Sequence, residues 1–534
     1  MKKIIVSIIA FAALAVSCDD FIEKETRGVQ SIENYFQTAQ ECENYVNELT
    51  HRLLLSNDWW TLLAPRLTNE TATDDAWMGN TGQDSGALRP GSQYTITPEN
   101  MGSLNSIYTA HYYTIQSCNT GLEKMAQSPI SESQRNQYMG ESLFIRAYCY
   151  YELVNNFGAV PLYTTSLGTS DLKLERSPVA DVYAQIEADL KEAATKLETI
   201  PVNRNGRVNK WAAYALLARV SLFQEKWAEA KQYSDKVITE GPFALEANFL
   251  NIWNVNNHNG VESILEAQSS SVQNRSLGSM LPTFSGARGE DKKYFPSNDA
   301  ADVIDGWGWC MPTSDLENAY LSEGDVVRRR STITKWGEAA YGDEVLNPTH
   351  KFSLNDNKSG RICRKYYIPI ETRRSLDKKD GHLPLNVPLI RLAEMYLTRA
   401  EANYHLGTGD PLADINIIRA RVQLAPKTGL AGPNLLRQIY KERRLELAFE
   451  GLRLFDIRRE KDPTTGKAVI ESLMGPNGTF VKYNLSSTDP FETTNTREAQ
   501  DKGINFNPAK NLLWPIPQLE IDLSGGVIKQ NPNY

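Results

Sequence analysis

Apolar residues recur at helical spacing through the N-terminal and C-terminal thirds of the chain. Cys42, Tyr45, Val46, Leu49 and Leu53 repeat at three and four residues, the mark of a helix with one buried face. Thr38 and Glu41 stand where a capping box would open it, which predicts a helix over 39–55. Leu104, Ile107, Tyr108, His111, Ile115, Cys118, Leu122 and Met125 trace a second stripe. Ser177 as N-cap and Pro178 at the first helical position predict a third helix, burying Val182, Ile186, Leu190, Ala193 and Leu197. Each stripe needs a neighbour, and the spacing supplies pairs. Over 211–242, Ala218, Trp227, Ala230 and Pro242 occupy the small, aromatic, small and proline positions of a tetratricopeptide-like helix hairpin. Segments 387–406 and 411–423, separated by Gly407-Thr-Gly-Asp410, read as another pair, and 132–157 with 178–199 as a further one. About four such pairs make a solenoid-like scaffold. The fold class expected is therefore mainly α, a tetratricopeptide-like helix-pair scaffold.

Two stretches break this rhythm. Residues 56–100 and 243–385 are rich in Gly, Pro, Asn, Asp and Ser and carry only short strand-like runs, such as 362–370. No Pro-rich linker or charge block separates them from the helices. They read as long insertions on one face of a single domain spanning 18–534, and structured loops on a rigid scaffold are where function concentrates.

The beginning of the chain differs again. Lys2 and Lys3 precede a run from Ile4 to Val16 interrupted by Ser7 alone. The run is too short to span a bilayer and has the basic, apolar, small order of a secretory signal peptide. Cys18 directly after the small residues turns this into a lipoprotein signal: residues 1–17 are removed and Cys18 is acylated. Asp19, Asp20 and Glu23 would keep the polypeptide off the lipid surface, so contact with the membrane is expected through the lipid anchor alone.

Composition narrows the function classes. Of 534 residues, 41% are hydrophobic and 23% charged, the balance of a globular protein and not of a disordered chain. With 65 acidic against 57 basic residues, the net charge opposes binding to nucleic acid, whose affinity comes from cations neutralising phosphates. Without the lipidated residue, Cys42, Cys118, Cys149, Cys310 and Cys363 remain. An odd number with no metal-ligand spacing excludes a full disulfide framework, and buried free thiols are expected. Signatures of catalysis and cofactor binding are missing: the six histidines are scattered, with no HExxH zinc motif, no GxSxG elbow and no phosphate loop. No metal or cofactor is expected. Glu442, Glu446 and Glu450 alternate with Arg443, Arg444 and Arg453, which reads as intrahelical ion pairing and not as a catalytic acid pair; His111, on an apolar stripe, reads as a core histidine.

Loop aromatics are the better lead. Trp59, Trp60 and Trp77 fall in the first insertion and Tyr294, Phe295, Trp307 and Trp309 in the second. A flat ring burying ~100 Å² of a sugar's CH face contributes ~2.5 kcal/mol before ordering costs, which suits weak, reversible capture. Asp74, Asp75, Asn80 and Arg89 lie near enough in sequence to bond ring hydroxyls. The candidate ligand residues are thus Trp77, Asp75, Asn80, Arg89, Tyr294, Trp307 and Trp309. Two other readings stay open: a helical glycoside hydrolase using Asp74 or Asp75 with Asp302 or Asp305, and an interaction scaffold that binds no small ligand.

Several segments, in order, resemble the SusD/RagB family of outer-membrane nutrient-binding lipoproteins. GESLFIRAY at 140–148 and NNFGAVPL at 155–162 resemble its N-terminal signature. RLAEMYLTRAEA at 391–402, INIIRAR at 415–421 and ERRLELAFEGLRLFDIRR at 442–459 resemble its C-terminal core, and WPIP at 514–517 through QNPNY at 530–534 its ending. The resemblance implies a non-catalytic protein without cofactors, with four tetratricopeptide-like pairs and a loop-rich ligand face. It implies lipidation at Cys18 and a place on the outer face of the outer membrane. It also implies a TonB-dependent barrel transporter of the SusC type as partner, to which a glycan or, in RagB-like members, a peptide is handed. No family motif maps Trp77 or Trp307 onto a ligand contact, and GWGWCMPT at 306–313 resembles a stretch that recurs in many members, which implies that part of it is architectural.

Overall fold

The computed structural model describes residues 32, 34–53, 63–78, 88–168, 173–198, 206–270, 272, 278–286, 306–335, 359–368, 372, 382–489 and 502–534. The leader, Cys18, Asn80 and Tyr294 lie outside them.

Helix α1, Ala39–Leu53, opens on the expected capping box: Glu41 N–H donates to Thr38 Oγ1 at 3.3 Å and Thr38 N–H to the Glu41 carboxylate at 2.9 Å. Helix α2, Leu63–Thr71, leads into strand β1, Ala76–Trp77. The scaffold then runs through α3 (Asn105–Ala126), α4 (Glu132–Phe157), α5 (Val179–Lys196), α6 (Lys210–Phe223) and α7 (Trp227–Glu240), each packed on its predecessor. Small residues set the spacing. A Cβ on Gly140 of α4 would come within 2.7 Å of Leu197 Cγ at the end of α5, so the absence of a side chain allows the close approach.

In the second insertion come β2 (Ser263–Ala267), α8 (Leu281–Ser285), β3 (Met311–Pro312), α9 (Ser314–Ser322), α10 (Val326–Thr332), β4 (Ile333–Lys335) and β5 (Arg361–Cys363). Strand β6, Val387–Arg391, returns the chain to α11 (Leu392–Leu406), α12 (Pro411–Arg421), α13 (Gly432–Leu447) and α14 (Arg453–Arg459). Helix α11 packs on α7, so the N-terminal and C-terminal helix pairs form one continuous stack. Trp227 joins them directly, lying 3.9 Å from the His405 ring with the planes 9° apart. An apolar cluster extends from Leu49 to Ile528 through nearly every one of these elements.

Four local expectations change. Ser177 does not cap α5; it sits in a two-residue strand paired with Val160, and Pro178, with φ −53° and ψ 146°, holds the cap position. Residues 387–391 are strand, not helix, because Pro388 lacks the N–H a helix needs and the segment pairs antiparallel with β2. Of the strand-like run at 362–370, the described residues form strand only in β5, which passes at Arg364–Tyr366 into a single 3₁₀ turn. The second insertion also contains α9 and α10, each capped by a side chain, Thr313 and Asp325.

Two core expectations hold. Cys42, Cys118, Cys149, Cys310 and Cys363 are all free and buried. His111 is a core residue, its Nδ1 2.7 Å from the Ile107 carbonyl oxygen, and burial lowers its pKa to about 4.

Candidate functional site

The two insertions meet. Strand β1 of the first pairs antiparallel with β3 of the second, Ala76 opposite Pro312 and Trp77 opposite Met311. Beside this ladder, Thr313 Oγ1 donates to the Asp74 carbonyl at 2.6 Å and Thr313 N–H to the Asp75 carbonyl at 2.9 Å. Trp77, predicted as a stacking platform, is instead 4% exposed and packs with Met311 and Ile362, with Tyr367 against the same cluster. Its ring cements the junction of the insertions, the role a large apolar side chain takes once its backbone becomes a paired strand.

Trp307 and Trp309 are held from one side by α8. Trp307 N–H donates to the Thr283 carbonyl at 2.7 Å, Gly308 N–H to Gly286 at 2.8 Å and Trp309 N–H to Phe284 at 2.8 Å. Gly308 has φ +64°, a conformation that side chains disfavour and that places the two indoles on a common partner. Phe284 lies 5.0 Å from each ring, stacked at 12° on Trp309 and at 67° to Trp307. Trp309 is buried, whereas Trp307 is half-buried in this three-ring cluster. Of the aromatic candidates among the described residues, Trp307 alone keeps surface for a ligand. Phe284 was not anticipated, since nothing in its flanking sequence distinguishes it from an ordinary core residue.

The charged candidates have other duties. Asp75 is fully buried, accepting from Arg444 Nε at 2.7 Å, and Asp74 accepts from Arg453 Nε at 2.9 Å and Nη2 at 2.8 Å. Burial pushes the Asp74 carboxyl up, but Arg444 and Arg453 outweigh it and hold the group well below the usual carboxylate range. Asp75 is shifted the other way, its carboxyl raised by burial and by neighbouring Asp74 against the pull of Arg444; fully buried, it does not reach a ligand on the surface, so the expectation for Asp75 as a ligand contact is corrected. Arg89 opens the short helix Arg89–Gln93 and is half-buried. The hydrolase candidates Asp302 and Asp305 lie outside the described residues.

Glu442 and Glu446 of α13, and Glu450 just beyond it, also differ from expectation, because their partners come from distant elements. Glu442 faces Arg328 Nη2 at 2.7 Å and Arg419 Nη1 at 3.1 Å. Glu446 faces Arg391 Nη1 at 2.6 Å and also Arg421; Glu450 faces Arg391 Nε and Lys365 Nζ, both at 2.7 Å. Burial raises Glu446, and Arg421, Arg391 and Arg328 together more than reverse it. The i,i+4 spacing places Glu442 and Glu446 on one inward face of α13, whereas Glu450 lies in the turn beyond the helix end at Leu447.

Fold and site together define a class: a stack of helix pairs from which two long insertions rise and knit into one loop-built face with an aromatic patch. Comparison with known proteins agrees. The model of the SusD family matches residues 335–534, and one described as starch-binding, associating with outer membrane, matches 21–222. The chain belongs to the SusD family. It is 25% identical to a SusD-like protein P2 of Formosa agariphila over the full length of both, and 26% identical to the starch-binding protein SusD of Bacteroides thetaiotaomicron over 82% of this chain and 84% of that one. Among solved structures, a laminarin-binding SusD-like protein superposes with a TM-score of 0.70 at 26% identity, covering 93% of this chain and 99% of the other. The surface glycan-binding protein A of Bacteroides thetaiotaomicron shares the fold with a TM-score of 0.74 at 21% identity, covering 94% and 100%.

Proposed function

We propose that this protein captures an oligosaccharide non-covalently on the loop face and passes it to a TonB-dependent transporter of the SusC type, while tethered to the outer membrane by lipid on Cys18. The observation that carries the reading is the Phe284–Trp307–Trp309 cluster on joined insertions, which leaves one indole partly open on an otherwise buried aromatic base. A rigid, half-open ring stacks a sugar without first being ordered, which lowers the entropic cost of binding. The laminarin-binding and starch-binding relatives support a glycan as the ligand class, and the lipobox-like leader supports the tether. Capture without catalysis fits Asp74 and Asp75, whose carboxylates are committed to arginines.

The test is calorimetric titration of the chain lacking its leader and Cys18 with laminarin, starch and peptide panels. Saturable glycan binding that falls at least tenfold in Trp307→Ala, with no cleavage product after prolonged incubation, is the expected result. Binding to peptides alone would overturn the glycan class. Undiminished glycan binding in Trp307→Ala would overturn the site. Purification of the tagged full-length chain from outer membranes should bring the barrel with it.

A further inference from the structure

Asparagine followed by glycine is the pair at which the backbone most readily attacks a side chain, because a residue without Cβ leaves its nitrogen open to the amide carbon before it. Two such pairs fall among the described residues, Asn259–Gly260 and Asn477–Gly478. The fold treats them oppositely. Asn259 Nδ2 donates to Gln268 Oε1 and Gln268 Nε2 donates back to Asn259 Oδ1, both at 2.9 Å, while the Asn259 N–H donates to Glu266 Oε2 at 2.8 Å. Asn477 is exposed, and its amide bonds to nothing among the described residues. Its neighbour is fixed by packing: a Cβ on Gly478 would run into the Leu473 carbonyl and come within 2.6 Å of the Met474 carbonyl oxygen. The fold thus demands the residue that makes Asn477 reactive.

We propose that Asn477 is a site of spontaneous deamidation whose isoaspartate product loosens the contact of its segment with the joined insertions. The Gly478 nitrogen, losing its proton to water, bonds to Asn477 Cγ as the Cγ–Nδ2 bond breaks and ammonia leaves. Water then opens the cyclic imide, at Cγ to give aspartate or at the main-chain carbonyl to give isoaspartate. Overall, one water is consumed and one ammonia released. Before the attack the turn must give up the bond from the Gly478 N–H to the Gly475 carbonyl, 2.9 Å long, a slowing of roughly three- to tenfold. At Asn259 three bonds hold the side-chain amide and its backbone, so the slowing there is larger.

The two products differ in consequence. Gly478 caps the helix Thr479–Ser486, so aspartate at 477 puts a negative charge just before a helix N-terminus, where it is favourable. Isoaspartate instead inserts a methylene into the main chain of a tight turn. The helix that follows buries Phe480 and Val481, and its Tyr483 hydroxyl meets Ser314 Oγ at 2.7 Å and accepts from Asn318 Nδ2 at 2.8 Å on α9. Lys502 Nζ lies over the rings of both Phe480 and Trp77, at 5.6 and 5.7 Å. A displaced turn is therefore felt at the junction of the insertions.

Prolonged incubation of the full chain at mildly alkaline pH tests it, with peptide mapping by mass spectrometry and enzymatic methylation to mark isoaspartate. Conversion at Asn477 should outrun that at Asn259 by roughly tenfold or more, and Asn477→Gln should abolish the signal at 477. Asn477→Asp should keep the thermal midpoint of the parent, while the aged, isoaspartate-bearing fraction should exchange amide hydrogens faster over 479–486. If Asn477 stays intact in the folded chain but converts once the chain has been digested, the fold protects it and the proposal fails. Conversion of Asn259 at an equal rate would show that the free amide of Asn477 does not make the site. Isoaspartate with unchanged exchange would overturn the loosening.

Discussion

The helical stack and the junction of the insertions are held by different physics. Along the stack, α3 to α7 meet mainly through apolar seams, with Val182, Ile186, Leu190 and Ala193 of α5 all fully buried, and ion pairs such as Arg146–Asp189 and Arg219–Glu394 join helices at single points. At the junction, buried charge dominates: Asp74 and Asp75 with Arg444 and Arg453, Glu317 with Arg329 and Arg361, and Arg391 among three glutamates. Apolar seams are forgiving, since a residue of similar size repacks at a cost below about 1.5 kcal/mol. A buried ion network is unforgiving, because removing one member strands the others in a low-dielectric interior. The apolar seams of the scaffold are thus tolerant and the junction of the insertions exacting, although both belong to one core.

The largest expected effect comes at the centre of that network. Arg391→Met leaves Glu262, Glu446 and Glu450 without their shared cation and should destabilise by roughly 3–5 kcal/mol, read as a shift of the urea midpoint. A cost below about 1 kcal/mol would show that the contrast between seam and network is false.

A second effect depends on pH. Glu70 of α2 is buried where the Gly451 N–H meets its carboxylate, and burial outweighs Arg66 to raise its pKa to about 7 from 4.5. The folded form therefore binds a proton more tightly than the unfolded one. The stabilisation is complete below about pH 4.5 and is lost as pH rises through 7. Glu70→Gln should remove this slope and gain roughly 2–3 kcal/mol over the parent at pH 8, relative to pH 4.5, in parallel denaturant titrations. Parallel curves for parent and variant would refute it.

The smallest effect belongs to the scaffold. Thr38→Ala deletes the α1 cap and should cost about 1 kcal/mol, with faster hydrogen exchange confined to the first turn of α1. Exchange that spreads to the insertions would mean that the stack is less local than its seams suggest.

Periodicity makes the stack legible in the sequence. The α1 capping box, the Trp227 hairpin and the Gly407–Asp410 turn are all local signals, and each is realised as read. Their legibility stops where contacts become distant. Nothing around Trp77 announces that its backbone will pair with Met311, so an exposed platform and a buried strand residue look alike in sequence. Glu442 and Glu446 of α13 show the same limit: their spacing gives the helix face, while Arg328, Arg391 and Arg421, which neutralise them, lie on other elements. The Trp307–Trp309 pair was found because both rings stand two residues apart around a glycine, and the fold alone revealed which of the two is open.

The cysteines have one remaining consequence. Attack on a disulfide or an oxidant requires the thiolate, and burial pushes Cys363 up to about 12 and Cys118, Cys149 and Cys310 well above the ordinary thiol range. At neutral pH these sulfurs are neither ionised nor reachable. These four thiols are therefore poor partners for thiol exchange or oxidation in the folded protein.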